Sequence, residues 1–277
     1  MNRIIAKKII SEDVIKFEIS TSIPINDIKP SQYIILRMKK NGDGFALSVV
    51  KTNAEKEIIT VIVSVTDEST RQLANLNAGD TQFEIEGPFG YPAQIENFGT
   101  VLCIGRESGI VPLLPVLTAL RVAGNQIISV LSAPLKDGII LQNEIKAISD
   151  EVITITDDGS SGEKRSICQV VGQTMRNNRI NQVFIFGTAK SIKETCSHTI
   201  KNNIQTQAVL YMGKPIKNGV HGIFKVTNCG CPRSVCVDGF NFNAWYPNFE
   251  EMIKRFGEAE LEIQGRVNIL NEVNVPN

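Results

Sequence analysis

Residues 100–131 read TVLCIGRESGIVPLLPVLTALRVAGNQIISVL, and this stretch decides the fold. A four-residue apolar run, 101–104, ends at Gly105, and a second glycine follows at Gly109. The apolar positions of 110–123 then suit a helix that stops at Gly124, and 127–131 is a second apolar strand. The pattern repeats downstream: helix 141–148, strand 152–156 running into Asp157-Asp158-Gly159, helix 168–176, strand 182–186 ending at Gly187, helix 192–202 and strand 207–211. Strands that alternate with helices imply a five-stranded parallel sheet covered on both faces. Such sheets bind ligands at the carboxyl ends of their strands. The Gly105-x3-Gly109 turn opens a helix there. Glycine lets backbone approach a phosphate, and a helix N-terminus offers unpaired N–H groups. The same turn is also common without a nucleotide, and the Glu107 carboxylate would repel phosphate oxygens.

Upstream of residue 100 the period changes. Residues 4–10, 14–19, 33–38, 45–50 and 58–65 are β-branched or aromatic runs separated by Asp, Asn, Gly, Pro and Lys. Residues 69–76 suit a short helical turn, and 82–86 leads into Gly87-Pro88-Phe89-Gly90. Five or six strands with regular turn signals predict a small antiparallel barrel.

The third region is a tail. Residues 218–239, NGVHGIFKVTNCGCPRSVCVDG, hold three of six cysteines and one of two histidines within sixteen positions, from His221 to Cys236. Thiolate and imidazole are the ligands that hold zinc or iron when they converge. The spacing Cys229-x-Cys231-x4-Cys236 is not a standard zinc or ferredoxin one. Two readings therefore stand side by side, a metal or cluster site and a Gly-rich turn with packed or free thiols. Among the other candidates, His198 on the helix 192–202 is read as lacking a Cys or carboxylate partner and as structural, and Cys103 and Cys196 read as core. Phe240, Phe242, Trp245, Tyr246 and Phe249 suit either a subunit contact or closure over the chain's own α/β domain.

The chain has 277 residues, which suggests two domains with an appendage, and a formal net charge of zero. Zero net charge removes the electrostatic footprint expected of a partner for nucleic acid or an anionic membrane. The start, MNRIIAKKIISEDV, does not read as a signal peptide, and no apolar run reaches the ~20 residues of a membrane span. Unevenly spaced cysteines do not suggest a disulfide framework, so a cytoplasmic location is the expectation. No Ser/His/Asp hydrolase arrangement is apparent.

Barrel, α/β domain and Cys-bearing tail, in that order, resemble ferredoxin–NADP⁺ reductase-like proteins. More narrowly, residues 4–256 resemble the electron-transfer subunits of type B dihydroorotate dehydrogenase and the small (alpha) subunits of NADH-dependent reduced ferredoxin:NADP⁺ oxidoreductase. The motifs that carry the likeness are Gly87-Pro88-Phe89-Gly90, Phe98-Gly99-Thr100 running into Cys103-Ile104-Gly105, Thr156-Asp157-Asp158-Gly159-Ser160, and Cys236-Val237-Asp238-Gly239.

The resemblance implies three units: an FAD-binding-type barrel over 1–98, an NAD(P)-binding-type α/β domain over 99–212 and an iron–sulfur-type tail over 213–277. It implies FAD beside Leu47, Ser48, Ser69 and Thr70, and a nicotinamide nucleotide beside Gly105, Gly109, Asp157, Asp158 and Gly187. A [2Fe–2S] cluster, or zinc, would fall on the tail at His221, Cys229, Cys231 and Cys236. It also implies a larger oxidoreductase subunit as partner, with ferredoxin as a further candidate. The function implied is electron transfer among these centres, within an NAD(P)H/ferredoxin-type flavin oxidoreductase.

Each of the three sites departs in part from the family pattern, while Gly109, Pro112, Asp157-Asp158-Gly159 and Gly187 match it. The flavin strand reads Gly44-Phe45-Ala46-Leu47-Ser48, with Ser48 in place and no Arg in either register. The second flavin loop reads Asp67-Glu68-Ser69-Thr70, with two carboxylates where glycine is expected. Arg106 and Glu107 replace two of three glycines, and Phe186 stands where a cysteine precedes Gly187. His221 and Phe224 fall on the Cys-x2-Cys pair, so any cluster is relocated. These changes keep a second reading open, a divergent non-catalytic binding or scaffolding subunit that has lost cofactors.

Overall fold

The structure, a computed structural model, describes residues 2–38, 44–65, 68–90 and 92–211, and three strands beyond them. The first unit is an antiparallel sheet of six strands, β1 (Arg3–Ser11), β2 (Val14–Ser20), β3 (Tyr33–Arg37), β4 (Gly44–Asn53), β5 (Ile58–Ser64) and β6 (Glu84–Phe89). A short helix, α1 (Glu68–Ala74), precedes β6. Strand order is β1-β2-β5-β4-β3-β6. At the β1 edge, Ile4 exchanges backbone hydrogen bonds of 2.9 Å with Gly79 and Asp80, in the segment that leads to β6.

Period-two alternation sorts the two faces of this sheet. Ile34, Leu36, Phe45, Leu47, Val49, Phe17 and Val61 fill its inner core. Tyr33, Ile35, Ala46 and Val50 face the other way and join the core of the second unit. Ser48 alternates with Leu47 and so shares the face of Ala46 and Val50.

The second unit holds β7 (Thr100–Arg106), α2 (Ile110–Val122), β8 (Gln126–Ala133), α3 (Gln142–Ile148), β9 (Glu151–Thr156), α4 (Ile167–Asn177), β10 (Gln182–Gly187), α5 (Ala189–Lys201) and β11 (Gln205–Tyr211). Its parallel order is β11-β10-β7-β8-β9, so the chain reverses its direction of travel between β7 and β10. This is the topological switch point of a doubly wound sheet. Val101 and Cys103 pack with α2 and α3 on one face, and Leu102 and Ile104 pack with α4 and α5 on the other.

The alternation thus gives the expected five parallel strands, and the structure adds a sixth. β12 (Ile223–Cys229), from the predicted tail, pairs antiparallel with β11, Phe224 opposite Leu210 and Cys229 opposite Thr206. β13 (Val235–Val237) and β14 (Phe240–Phe242) form a small antiparallel pair, Cys236 opposite Asn241.

α2 is apolar nearly all round because it lies between two sheets. Ile110, Val111, Leu113, Val116, Leu117 and Leu120 are buried against β7 and β8 on one side and β3 and β4 on the other. The connection from β6 to β7 is pinned by two amides. Asn125, 2% exposed, accepts from Phe98 N (2.8 Å) and donates to Glu96 O (2.7 Å) and Leu120 O (2.9 Å). Gln207 accepts from Gln94 N (2.9 Å) and donates to Gln94 O (3.1 Å). Among the described residues no helix is long and apolar enough to cross a membrane.

Candidate functional site

The carboxyl ends of β7 and β10 meet the first turn of α2, and the expected nucleotide residues gather here. Gly105 is the penultimate residue of β7, Gly109 precedes α2, Gly187 ends β10, and Asp157-Asp158 follows β9. Space explains both glycines of the turn without a ligand. A Cβ on Gly109 would lie 2.3 Å from Phe186 O and 3.1 Å from Gly187 N, both backbone atoms. A Cβ on Gly105 would lie 3.0 Å from Ile110 Cα. They let α2 seat directly on β10 and β7. Glu107, between them, has a φ of 52°, the left-handed region that favours glycine.

Arg106 is the residue whose role the sequence did not reveal. Its fork donates to Asp157, Nη2 to Oδ2 at 2.7 Å and Nη1 to Oδ1 at 3.3 Å, and Nη1 also donates to Ser132 Oγ at 2.8 Å. Its Nε lies 3.2 Å from Glu107 Oε1. Burial works to lower the guanidinium's pKa, but the Asp157 hydrogen bond and the fields of Glu107, Asp157 and Glu194 outweigh it, and the pKa is raised. Asp158 is held below the usual carboxylate range by the Ser160 hydroxyl and backbone N–H, at 2.7 and 2.9 Å. The arginine thus bridges the ends of β7, β8 and β9, with its hydrogen-bonding edge turned to protein carboxylates. In this arrangement the donors face protein carboxylates, so a nucleotide diphosphate must displace Asp157 to reach them.

The expected flavin residues lie on the neighbouring sheet. Ser48 and Thr70 are buried, and Leu47 is part of the inner core, so its side chain faces away from the α2 side. The side chain of Ser69 lies outside the described residues. A cation is nonetheless present on the adjacent strand. Arg37 of β3 pairs with Gly44 of β4, and a Cβ on Gly44 would lie 2.9 Å from Arg37 Nη1. The Arg37 side chain is largely buried, 15% exposed, and its Nε lies 3.3 Å from Glu86 Oε1. The missing side chain at 44 makes room for a charge supplied by β3, which a search along β4 alone cannot find.

The expected metal set lies outside the described residues: His221 and Cys231 entirely, and Cys229 and Cys236 except for their strand backbone. Trp245, Tyr246 and Phe249 lie outside as well. Among the described residues, no group of three or more His, Cys, Asp or Glu side chains is placed to hold a metal ion. Cys103 and Cys196 are buried as expected, and burial pushes the Cys103 thiol up. His198 needs correction: Cys168 Sγ lies 3.2 Å from its Nε2. The partner is 30 positions away in sequence and is brought close by the packing of α4 on α5.

No family model matches the sequence. A dihydroorotate dehydrogenase B (NAD(+)) electron transfer subunit homolog of Thermotoga maritima is 33% identical over 261 residues, covering 93% of this chain and 91% of that protein. The chain belongs to the family of dihydroorotate dehydrogenase B electron-transfer subunits and their homologues. A further member, the electron transfer subunit from Caldanaerobacter subterraneus, is 27% identical over 194 residues, 67% of this chain and 73% of that one.

Among solved structures, a chain of NADH-dependent reduced ferredoxin-NADP oxidoreductase, solved for insight into flavin-based electron bifurcation, is 29% identical with a TM-score of 0.73. It covers 95% of this chain and 96% of its own. A ferredoxin NADP+ reductase from Neisseria gonorrhoeae with bound FAD and NADP is 16% identical with a TM-score of 0.57, over 72% of this chain and 89% of that one. That likeness shows the fold alone.

Proposed function

We propose that the chain is an electron-transfer subunit of an oxidoreductase complex, carrying FAD against the outer face of β3 and β4 and passing electrons to a larger catalytic subunit. The observation that carries this reading is one shared core. Tyr33 and Ile35 of the first sheet pack with Ile110 and Val111, in the first turn of α2, at the switch point of the second. Ligands on the two units would therefore lie side by side. Bound FAD would supply two-electron chemistry on one side and single electrons on the other. The chain's own residues bind and orient it. Arg37 places a positive charge for the diphosphate, and Ser48 and Thr70 offer hydroxyls.

The tail would carry a third centre. His221, Cys229, Cys231 and Cys236 are ligand types for a [2Fe–2S] cluster or for zinc, with Cys236 at the family position. Iron, sulfide and zinc content of protein purified without oxygen tests this. One cluster per chain supports it, and neither iron nor zinc counts against it.

A specific observation favours the second reading, a non-catalytic binding subunit, and it is the Arg106–Asp157 clasp. A nicotinamide nucleotide must part this pair to reach the switch point. Replacing Asp157 with Asn removes the competing carboxylate. It is expected to tighten NADH or NADPH binding by about 1 kcal/mol, roughly fivefold, a modest effect because Asp157 is half exposed. Titration of both proteins by nucleotide fluorescence checks it. Equal affinities would mean that the clasp does not gate the crevice. Binding by neither protein would favour the non-catalytic reading.

A further inference from the structure

On the face of the parallel sheet that α4 and α5 cover, a thiol and an imidazole meet. Cys168 Sγ lies 3.2 Å from His198 Nε2. The ring has a seat: a Cβ on Gly172, one turn along α4 from Cys168, would lie 2.8 Å from His198 Cε1 and 3.3 Å from each ring nitrogen. Glycine in a helix interior is less favourable than alanine, and here it admits the imidazole against the helix backbone. The turn before is fixed by a capping box, in which Ser166 Oγ accepts from Gln169 N and Gln169 Oε1 accepts from Ser166 N. At the end of α5, Asn202 Nδ2 donates to His198 O at 2.8 Å. Cys168 is only partly buried, whereas Cys103 and Cys196 are sealed in the core. A nucleophile, a base within hydrogen-bond reach and an element that orients the base are the parts of an activated thiol.

We propose that Cys168 is a nucleophilic thiol that exchanges with small disulfides, with His198 as the acceptor of its proton. His198 Nε2 takes the proton as Cys168 Sγ attacks one sulfur of a disulfide R–S–S–R. The Cys168–S–S–R bond forms and the S–S bond of the reagent breaks. The departing R–S⁻ then takes the proton from His198 and leaves as R–SH. The number of S–S bonds is unchanged: the Cys168 thiol is oxidised to the mixed disulfide while one sulfur of the reagent is reduced to R–SH.

The test uses the full chain and oxidised glutathione, with quenched samples digested by trypsin. The peptide 166–176 contains Cys168 as its one cysteine, so its modification is read separately from the tail. Cys168 is expected to react at least about tenfold faster than Cys103 and Cys196, and faster in the folded chain than in the same chain unfolded in urea. His198→Gln is expected to slow it about tenfold. Gly172→Ala is expected to slow it several-fold, because its Cβ displaces the ring while the histidine remains. A folded-state rate below the unfolded one, or rates unchanged by both substitutions, overturns the proposal.

Discussion

Replacing Gly109 with alanine is expected to destabilise the chain by about 3 kcal/mol, the upper end of what overpacking costs. The added methyl would meet Phe186 O at 2.3 Å and Phe186 C at 2.6 Å. Both are backbone atoms of β10, which pairs with β7 on one side and β11 on the other. No flexible side chain can move aside, so either α2 lifts off β10 or β10 is pushed from its ladder. Since α2 is packed between the two sheets, the strain reaches both units. Chemical denaturation followed by circular dichroism measures it. A loss under about 1 kcal/mol, the size of an ordinary surface effect, would show that the close approach is not required. The same measurement separates two readings of this glycine, because a residue kept only for a ligand's approach would tolerate the methyl in the absence of ligand.

Arg37→Ala is expected to weaken FAD binding by about 2–3 kcal/mol, roughly thirty- to 150-fold, the range of a charge-assisted contact to phosphate. Stability should hardly move. Glu86, its ion-pair partner, is about half exposed and returns to water, so the pair itself is worth under about 1 kcal/mol. The two quantities together make the experiment decisive. Affinity that falls while the denaturation midpoint holds assigns Arg37 to the ligand. Unchanged affinity would mean that Arg37 only covers Gly44 and that FAD, if held, relies on Ser48 and Thr70. Calorimetry with FAD on both proteins, alongside urea melts, gives both numbers.

What the sequence revealed and what it hid divide along physical lines. The parallel unit was legible because its signals are local: apolar runs at 101–104 and 182–186, glycine stops at Gly105, Gly124 and Gly187, and helix-period stretches between them. The strands of the first sheet were legible for the same reason, within one to three residues at their ends. β12 was not legible as a sixth strand. Phe224 and Val226 do alternate with Lys225 and Thr227, but pairing with β11 is a nonlocal contact, and the cysteines drew the same residues into a metal reading.

The site was half legible. The positions of Gly105, Gly109, Asp157 and Gly187 could be read from the motif, because motif and fold share the same turn. Their relations could not. Arg106 meets Asp157 across 51 positions and Cys168 meets His198 across 30, and no local pattern encodes either. Arg37 lies opposite Gly44 across the β3–β4 ladder, so a motif scanned along β4 finds only a missing arginine.

The central claim, that this chain carries a flavin and accepts electrons through it, is tested most directly by the visible absorption spectrum of the full chain. The protein would be purified without oxygen in buffer containing FAD, freed of unbound flavin, and mixed with NADH or NADPH. The account expects one protein-bound flavin per chain, with a spectrum distinct from that of free FAD, that bleaches after either nucleotide is added. A chain that leaves the column without flavin, or a bound flavin that neither nucleotide reduces, would contradict it.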